Sequence, residues 1–233
     1  MPHDQWPVMM SRAQVRRLDA CAVENYGMAG IVLMENAGRA VTDALCRIGV
    51  HGPVVICCGS GNNAGDGFVI ARHLELRGYQ VRTVLAGPID KLPPDAAGNY
   101  HLLCLTGHIP QPLARDLSPR TLEAILADAD WIVDALLGTG AVGAPRPPLD
   151  QLIRRLNQSP AKRLAVDLPS GLDADTGEVP GVAIRADHTC TLAALKPGLL
   201  VAAAEPYVGQ LQVVDIGVPR CVFHDVLAEP ADA

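Results

Sequence analysis

Two acidic residues lie inside apolar runs of the chain, Asp134 in WIVDALLG and Asp167 in LAVDLPSG. A third, Asp66, belongs to a glycine-rich stretch, CCGSGNNAGDG over 57–67, that also carries Asn62 and Asn63. A carboxylate among apolar neighbours is costly unless a cation, an array of donors or solvent at a strand end meets it. Pro169-Ser170-Gly171 follows Asp167 closely and makes a turn that presents the Ser170 hydroxyl and backbone groups. Two strand-end carboxylates beside amides and a hydroxyl form an oxygen-rich set suited to a hard cation, and charge counting does not choose between a divalent and a monovalent one. Carboxyl groups near other charges also shift pKa and can move protons. Plainer uses exist for the same residues. Asn62, Asn63 and Asp66 can form Asx turns, Asp66 is suitably placed to be a helix N-cap, and backbone amides can satisfy a buried aspartate.

Gly59, Gly61 and Ala64 also fit G-x-G-x-x-G/A, in which small residues let a pyrophosphate approach a helix N-terminus. Two features argue against an ordinary hydride-transferring dehydrogenase. The strand follows a helical prefix of about fifty residues, and the next strand, VRTVLAGPID, has no acid at its end, with Asp90 late for the ribose hydroxyls.

Apolar spacing predicts helices over 11–26, which Ser11 can cap, and 28–48, then a strand over 54–58 and a helix over 67–77. Further strands are expected at 81–86, 131–137, 164–168, 189–192 and 211–216, with helices at 96–106, 121–127 and 149–157. Apolar strands alternating with helices imply a sheet covered on both faces. The expected fold is therefore α/β, a Rossmann-like, doubly wound, mostly parallel sheet with an N-terminal two-helix prefix. One domain spans 1–233, with its core over about 11–219. In such sheets ligands gather beyond the carboxyl ends of the strands, so GSGNNAGDG, DALLGTGAVGA and DLPSGLDADTG should converge on one edge.

A net charge of −6 with scattered basic residues gives no footprint for nucleic acid or an anionic membrane, which favours a small-molecule partner. No apolar run reaches the roughly 18 residues of a membrane span, and the N-terminus lacks a signal-peptide pattern. The seven cysteines contain no C-x-x-C pair and mostly lie in apolar runs, as expected of core residues in a reducing, cytoplasmic protein. Cys57-Cys58 reads as core packing, and His73, His101, His108 and His188 as satisfied or surface residues.

The motifs LMENAG (33–38), GSGNNAGDG (59–67), DALLGTG (134–140), AVDLPSGLDADTG (165–177), TLAALKPGL (191–199) and VVDIGVP (213–219), in that order, resemble those of the NAD(P)H-hydrate epimerases. The resemblance runs from about Ser11 to Val218, with Ala64 where glycine is expected and Leu192 where phenylalanine is expected. It implies epimerisation between the R and S forms of NADH or NADPH hydrated at C6 of the nicotinamide ring, a metabolite-repair activity. It also implies that Asn62, Asn63, Ala64, Gly65 and Asp66 contact the hydrated dinucleotide. Gly138, Thr139, Gly140, Ala141, Val142, Gly143 and Ala144 would wrap its phosphates, and Asp167 would touch the nicotinamide end. One potassium ion per subunit would be held by Asn63, Asp134 and Ser170.

Asp167 is then the expected proton shuttle. Lys196 would stabilise an anionic group or assist proton transfer, unless it is an ordinary surface lysine before a Pro-Gly turn. The helical prefix with its apolar LMENAG segment leads one to expect a homodimer, to which Glu35 and Asn36 would contribute unless they reach the site. It also implies a dehydratase activity fused to or working beside this one, the chain being either stand-alone or a piece of a bifunctional protein. Two other readings stay open, a non-catalytic nucleotide-binding or dimerisation module of the same fold, and a nicotinamide-dependent oxidoreductase.

Overall fold

The computed structural model describes residues 7–113 and 119–228. Helices α1 (Arg12–Glu24) and α2 (Gly30–Ile48) precede a strand-helix alternation. It runs β1 (Val54–Cys58), α3 (Asn62–Leu76), β2 (Val81–Leu85), α4 (Pro94–Leu105), β3 (Gln111–Pro112), α5 (Pro119–Leu126), β4 (Trp131–Ala135), α6 (Leu149–Leu156) and β5 (Lys162–Val166). The chain continues through β6 (His188–Leu192), α7 (Glu205–Val208), β7 (Gln210–Val214) and α8 (Arg220–Ala228). The strands form one sheet in the order β3-β2-β1-β4-β5-β6-β7, and every pairing is parallel. The expected doubly wound sheet is present, entirely parallel among the described strands.

Both faces are covered, which is why β1 and β4 are apolar at almost every position. On one face α2, α3 and α4 press Val41, Phe68 and Leu103 against Ile56, Val133 and Val166. On the other, α5 and α6 supply Ile125, Leu152 and Leu156 against Val55, Ile132 and Ala165. The amphipathic helix α1 packs with α8 through Val15, Leu18, Ala22, Val222 and Phe223. Its start is fixed as expected: the Ser11 hydroxyl accepts from the Gln14 N–H, and the Gln14 side chain accepts from the Ser11 N–H. The α8 helix, the short α7 and the two-residue β3 were not expected from the sequence.

One boundary differs in a way that matters for the site. The helix expected from Gly67 begins at Asn62 with Gly61 as its N-cap, so Asp66 is a helical residue and not the cap. Glycines that suggest a loop are there for close packing instead. A Cβ at Gly65 would lie 2.4 Å from Met34 Sδ, and one at Gly67 would lie 2.7 Å from Cys58 Sγ and 2.9 Å from Ala135 Cβ. Gly67→Ala is therefore expected to lower stability by about 1–3 kcal/mol in urea unfolding, against the small gain that alanine gives in an open helix. A neutral or stabilising outcome would show that α3 can lift off β1 freely.

Candidate functional site

The sheet order reverses between β1 and β4, and the segments leaving β1, β4 and the adjacent β5 meet above that point. Asp134 of β4 is fully buried. Its Oδ1 accepts from Ser170 Oγ at 2.6 Å and from the Leu136 N–H at 3.2 Å, and its Oδ2 accepts from the Ser170 N–H at 2.8 Å. Burial pushes this carboxyl up and the Ser170 and Leu136 donors hold it back, leaving it at about 6. Ser170 Oγ also accepts from the Leu137 N–H at 2.9 Å. Asn63, in the first turn of α3, donates through Nδ2 to the carbonyls of Leu137 at 3.1 Å and Val166 at 3.2 Å. Those two acceptors fix the amide's orientation. Asn63 Oδ1 is then left buried without a hydrogen-bond partner among the described residues.

A buried acceptor without a donor is unusual, because it forfeits the hydrogen bond it had in water. A cation satisfies it where a donor does not. The oxygens gathered around Leu137 are an amide, a carboxylate, a hydroxyl and backbone carbonyls, and among the described residues no group of three or more His, Cys, Asp or Glu side chains is placed to hold a metal ion. One carboxylate with several neutral oxygens is a donor set that fits a hard ion of low charge.

Above this cluster opens a cavity of about 530 Å³. At its head stands an ion pair between Lys196 and Asp167, with Nζ donating to Oδ1 at 2.6 Å. Lys196 is completely buried, and its other Nζ bonds run to Thr191 Oγ1 at 3.0 Å and the Leu192 carbonyl at 2.7 Å. It is not a surface lysine. Asp167 Oδ2 accepts from the Thr139 N–H at 3.1 Å and from the Thr139 hydroxyl. Burial alone would raise the Asp167 carboxyl; the Lys196 charge, the Lys196 hydrogen bond and the Thr139 donors outweigh it and hold the group below its ordinary value. Asp167 also adopts φ 70°, a left-handed backbone that few residues other than glycine take up, which aims its carboxyl between Thr139 and Lys196.

Asn62, Asn63, Asp66, Gly138, Thr139, Gly140, Ala141, Asp167 and Lys196 all line the cavity. Asp134 and Ser170 lie beneath it, joined to the lining through Leu137. Ala64 and Gly65 belong to the same helical turn but face the core, Gly65 against Met34. Val142 is exposed, Gly143 lines a small neighbouring hollow, and Ala144 faces Gly181. The structure thus gathers the first part of the 138–144 segment at the cavity and leaves its end outside.

Two charged lining residues escape a reading of the sequence. Arg16 and Asp19 of α1 reach the cavity from above, Arg16 donating to the Gly140 carbonyl at 3.3 Å. Asp19 is accessible to cavity solvent yet walled in, and that enclosure, with Asp167 nearby and Lys196 opposing, raises it to about 6. Their three-residue spacing puts both on one helix face, a signal that any surface helix also gives. Glu35 and Asn36 make contacts within the chain: Glu35 pairs with Arg72 and with His73 at 2.8 Å, and Asn36 Nδ2 donates to the Ile216 carbonyl at 3.0 Å. Cys57 and Cys58 are buried core thiols raised by that burial, whereas Cys221 is exposed.

The family described as YjeF-related protein N-terminus matches residues 30–198. A protein of Pirellula staleyi named NAD(P)H-hydrate epimerase is 45% identical over 219 residues, which cover 94% of this chain and 96% of that protein. A Rhodopirellula baltica protein of the same name is 39% identical over 90% of this chain and 84% of its own length. A bifunctional NAD(P)H-hydrate repair enzyme of Leishmania major is 44% identical over 85% of this chain, but only 35% of that longer protein is matched. The crystal structure of yeast ynu0 superposes with a TM-score of 0.76 over 97% of this chain and 96% of that one, at 24% identity, and bears on the fold alone. With a family match through the sheet and the cavity, and near full-length relatives at this identity, the chain belongs to the YjeF-related protein N-terminus family.

Proposed function

We propose that this protein is an NAD(P)H-hydrate epimerase, interconverting the R and S forms of the hydrated nicotinamide dinucleotide. The observation that carries the reading is the buried Lys196–Asp167 pair at the head of a cavity flanked by the first turn of α3 and the Gly138–Ala141 segment. In this reading Asn62, Asn63, Asp66 and the Gly138–Ala141 segment bind the dinucleotide, with Asp167 at the hydrated ring. The N-terminus of α3 and the backbone of Gly138–Ala141 suit phosphate oxygens. Arg16, at the mouth, adds a guanidinium for the same anionic groups.

The chemistry follows from the ring. The nitrogen lone pair assists departure of the C6 hydroxyl once an acid protonates it, and water returns to the resulting iminium from the opposite face. Asp167, held ionised, stabilises the cationic ring and accepts a proton from the entering water. Buried Lys196 keeps Asp167 in that state and in that direction. Asn63 Oδ1, Asp134 and Ser170 would hold a potassium ion, whose positive charge would tie the β1, β4 and β5 segments together.

Each element of this proposal is open to experiment. Incubating the hydrate in ¹⁸O-labelled water with the protein should place label at C6 of both epimers faster than the spontaneous reaction does; label entering only at the spontaneous rate would sink the reading. Replacing a large organic cation by potassium at about a hundred times its dissociation constant should stabilise the fold by about 2.7 kcal/mol, or roughly 5–10 °C in Tm. Asn63→Leu should abolish that shift, and an equal shift in the variant would remove the ion from this site.

Exposed apolar side chains of Ile31 and Val32 on α2 and of Leu102 and Leu105 on α4 support a homodimer. Among the described residues no helix is long and apolar enough to cross a membrane, and none of the described cysteines is paired in a disulfide, in keeping with work in the cytoplasm. The bifunctional relative supports a dehydratase as functional partner, fused or separate.

A further inference from the structure

Epimerisation by loss and return of water needs two proton-transfer groups, an acid for the departing hydroxyl and a base for the entering water. Asp167, ion-paired and bound by Thr139, is equipped to start the cycle ionised, as the base. Resting on the epimerase reading, we propose that Asp66 is the catalytic acid, the residue that hands a proton to the C6 hydroxyl as it leaves.

Its placement carries the argument. Asp66 stands in the second turn of α3 with only 6% of its surface exposed, and its carboxyl accepts no hydrogen bond from the described residues. That small exposed part opens into the main cavity and also into an adjoining one of about 360 Å³, so the group stands on the wall between them. Ordinary buried aspartates in this protein are supplied with donors. Asp134 has three and Asp167 has four. Asp66 and Asp167 both face the cavity where a substrate atom can sit, but of the two only Asp66 does so without a donor among the described residues.

The surrounding charges point the same way. From α1 come Arg16, Asp19 and Glu24, from α4 comes Asp95, from the segment after β5 comes Asp167, and from the segment after β6 comes Lys196. The Cys58 thiol of β1 lies nearby on the core side. Lys196 is engaged by Asp167, Thr191 and Leu192, and Arg16 by the Gly140 carbonyl at the mouth. Burial first, then the negative charges of Asp167 and Asp19, raise the Asp66 carboxyl well above its ordinary value. One site thus holds two carboxyls driven in opposite directions, the arrangement that separates an acid from a base at a single pH.

The step balances. The Asp66 O–H proton passes to the C6 hydroxyl oxygen, the C–O bond breaks with its electron pair leaving on water, and the ring nitrogen lone pair forms the C=N bond of the iminium. Water adds at C6, the C=N pair returns to nitrogen, and the proton released from that water goes to Asp167. The enzyme is left with Asp66 ionised and Asp167 protonated, the form that catalyses the opposite direction. Asp19, solvent-accessible and coupled to both, restores the starting form by exchange with bulk water.

The test is Asp66→Asn in the full chain, a swap that keeps shape and removes the proton. Turnover of either epimer should fall about 100-fold or more, well beyond any change in KM or in the hydrate's dissociation constant. The alkaline limb of the wild-type pH–rate profile, where activity falls as Asp66 loses its proton, should vanish in the variant. Asp66→Glu should recover part of the rate. Independently of activity, ¹³C NMR of labelled aspartate should show a carboxyl that titrates well above the ordinary aspartate range, a signal that Asp66→Asn removes. Retained turnover in the Asn variant, a loss confined to binding, or an Asp66 carbon titrating near pH 4 would each overturn the proposal. A wild type without epimerase activity would instead fail the functional reading, and a neutral Asp66 carboxyl would then no longer identify an acid for this reaction, which also overturns it.

Discussion

Replacing Lys196 with methionine is expected to destabilise the fold by about 3–5 kcal/mol, because it leaves the Asp167 carboxylate buried with no cation. The effect has a pH signature. In the wild type the Asp167 value is held down, so its contribution to stability is present above the ordinary aspartate range and is lost as pH falls through its lower folded value. In the variant burial dominates and raises that value. The contribution then reverses sign, and stability is lost as pH rises above about 4. Urea unfolding at several pH values measures both. Adding Asp167→Asn to the variant should restore a good part of the loss at neutral pH, since asparagine is neutral and tolerates the left-handed backbone at this position. A loss below about 1 kcal/mol for Lys196→Met, with no change in pH dependence, would mean that water reaches the pair freely.

Asp167→Asn is expected to reduce turnover by about 10²–10⁴-fold, the range attributed to a positioned general base, with KM changed only a few-fold. Asparagine can still accept from Lys196 through its amide oxygen, but its NH2 then faces the Thr139 N–H and the buried Lys196 loses its counter-charge, so urea unfolding of the variant has to show a folded protein before the loss reads out proton transfer and charge. A decrease that appears wholly in KM would assign Asp167 to binding alone. Asp134 should behave differently. It is raised to about 6, so the stability it contributes is present below its unfolded value near 3.8 and is lost between about pH 4 and pH 6. Each pKa unit is worth about 1.4 kcal/mol, so that slope amounts to about 3 kcal/mol in the absence of a bound cation.

Much of this was legible in the sequence because it rests on local rules. Runs such as VVICC and WIVDA, buried along their whole length, reveal strands covered on both faces, and the polar segments that follow them mark the edge where ligands gather. Asp134 and Asp167 stood out because a carboxylate among apolar residues needs a partner. The partner of Asp167, by contrast, arrives from 29 residues along the chain, and spacing alone leaves Lys196 as readily a surface residue. The α3 boundary was misplaced for a physical reason. Gly65 and Gly67 look like loop residues but are helix residues chosen for close approach to Met34 and Cys58, a tertiary constraint that overrides their propensity. That error hid the role of Asp66, which looks like a cap in a loop and is a buried wall residue in a helix. Arg16 and Asp19 were missed because nothing in α1 itself says that the helix lies across a cavity formed a hundred residues later.

The most direct test of the account is to purify the R and S hydrates of NADPH separately, add the protein in potassium buffer, and follow their interconversion by chiral-resolving chromatography. The account predicts that each epimer relaxes to the same equilibrium mixture far faster than it does spontaneously, and that Asp167→Asn returns the rate toward that baseline. Relaxation at the spontaneous rate with well-folded wild-type protein would contradict it, leaving a cavity that binds without catalysing.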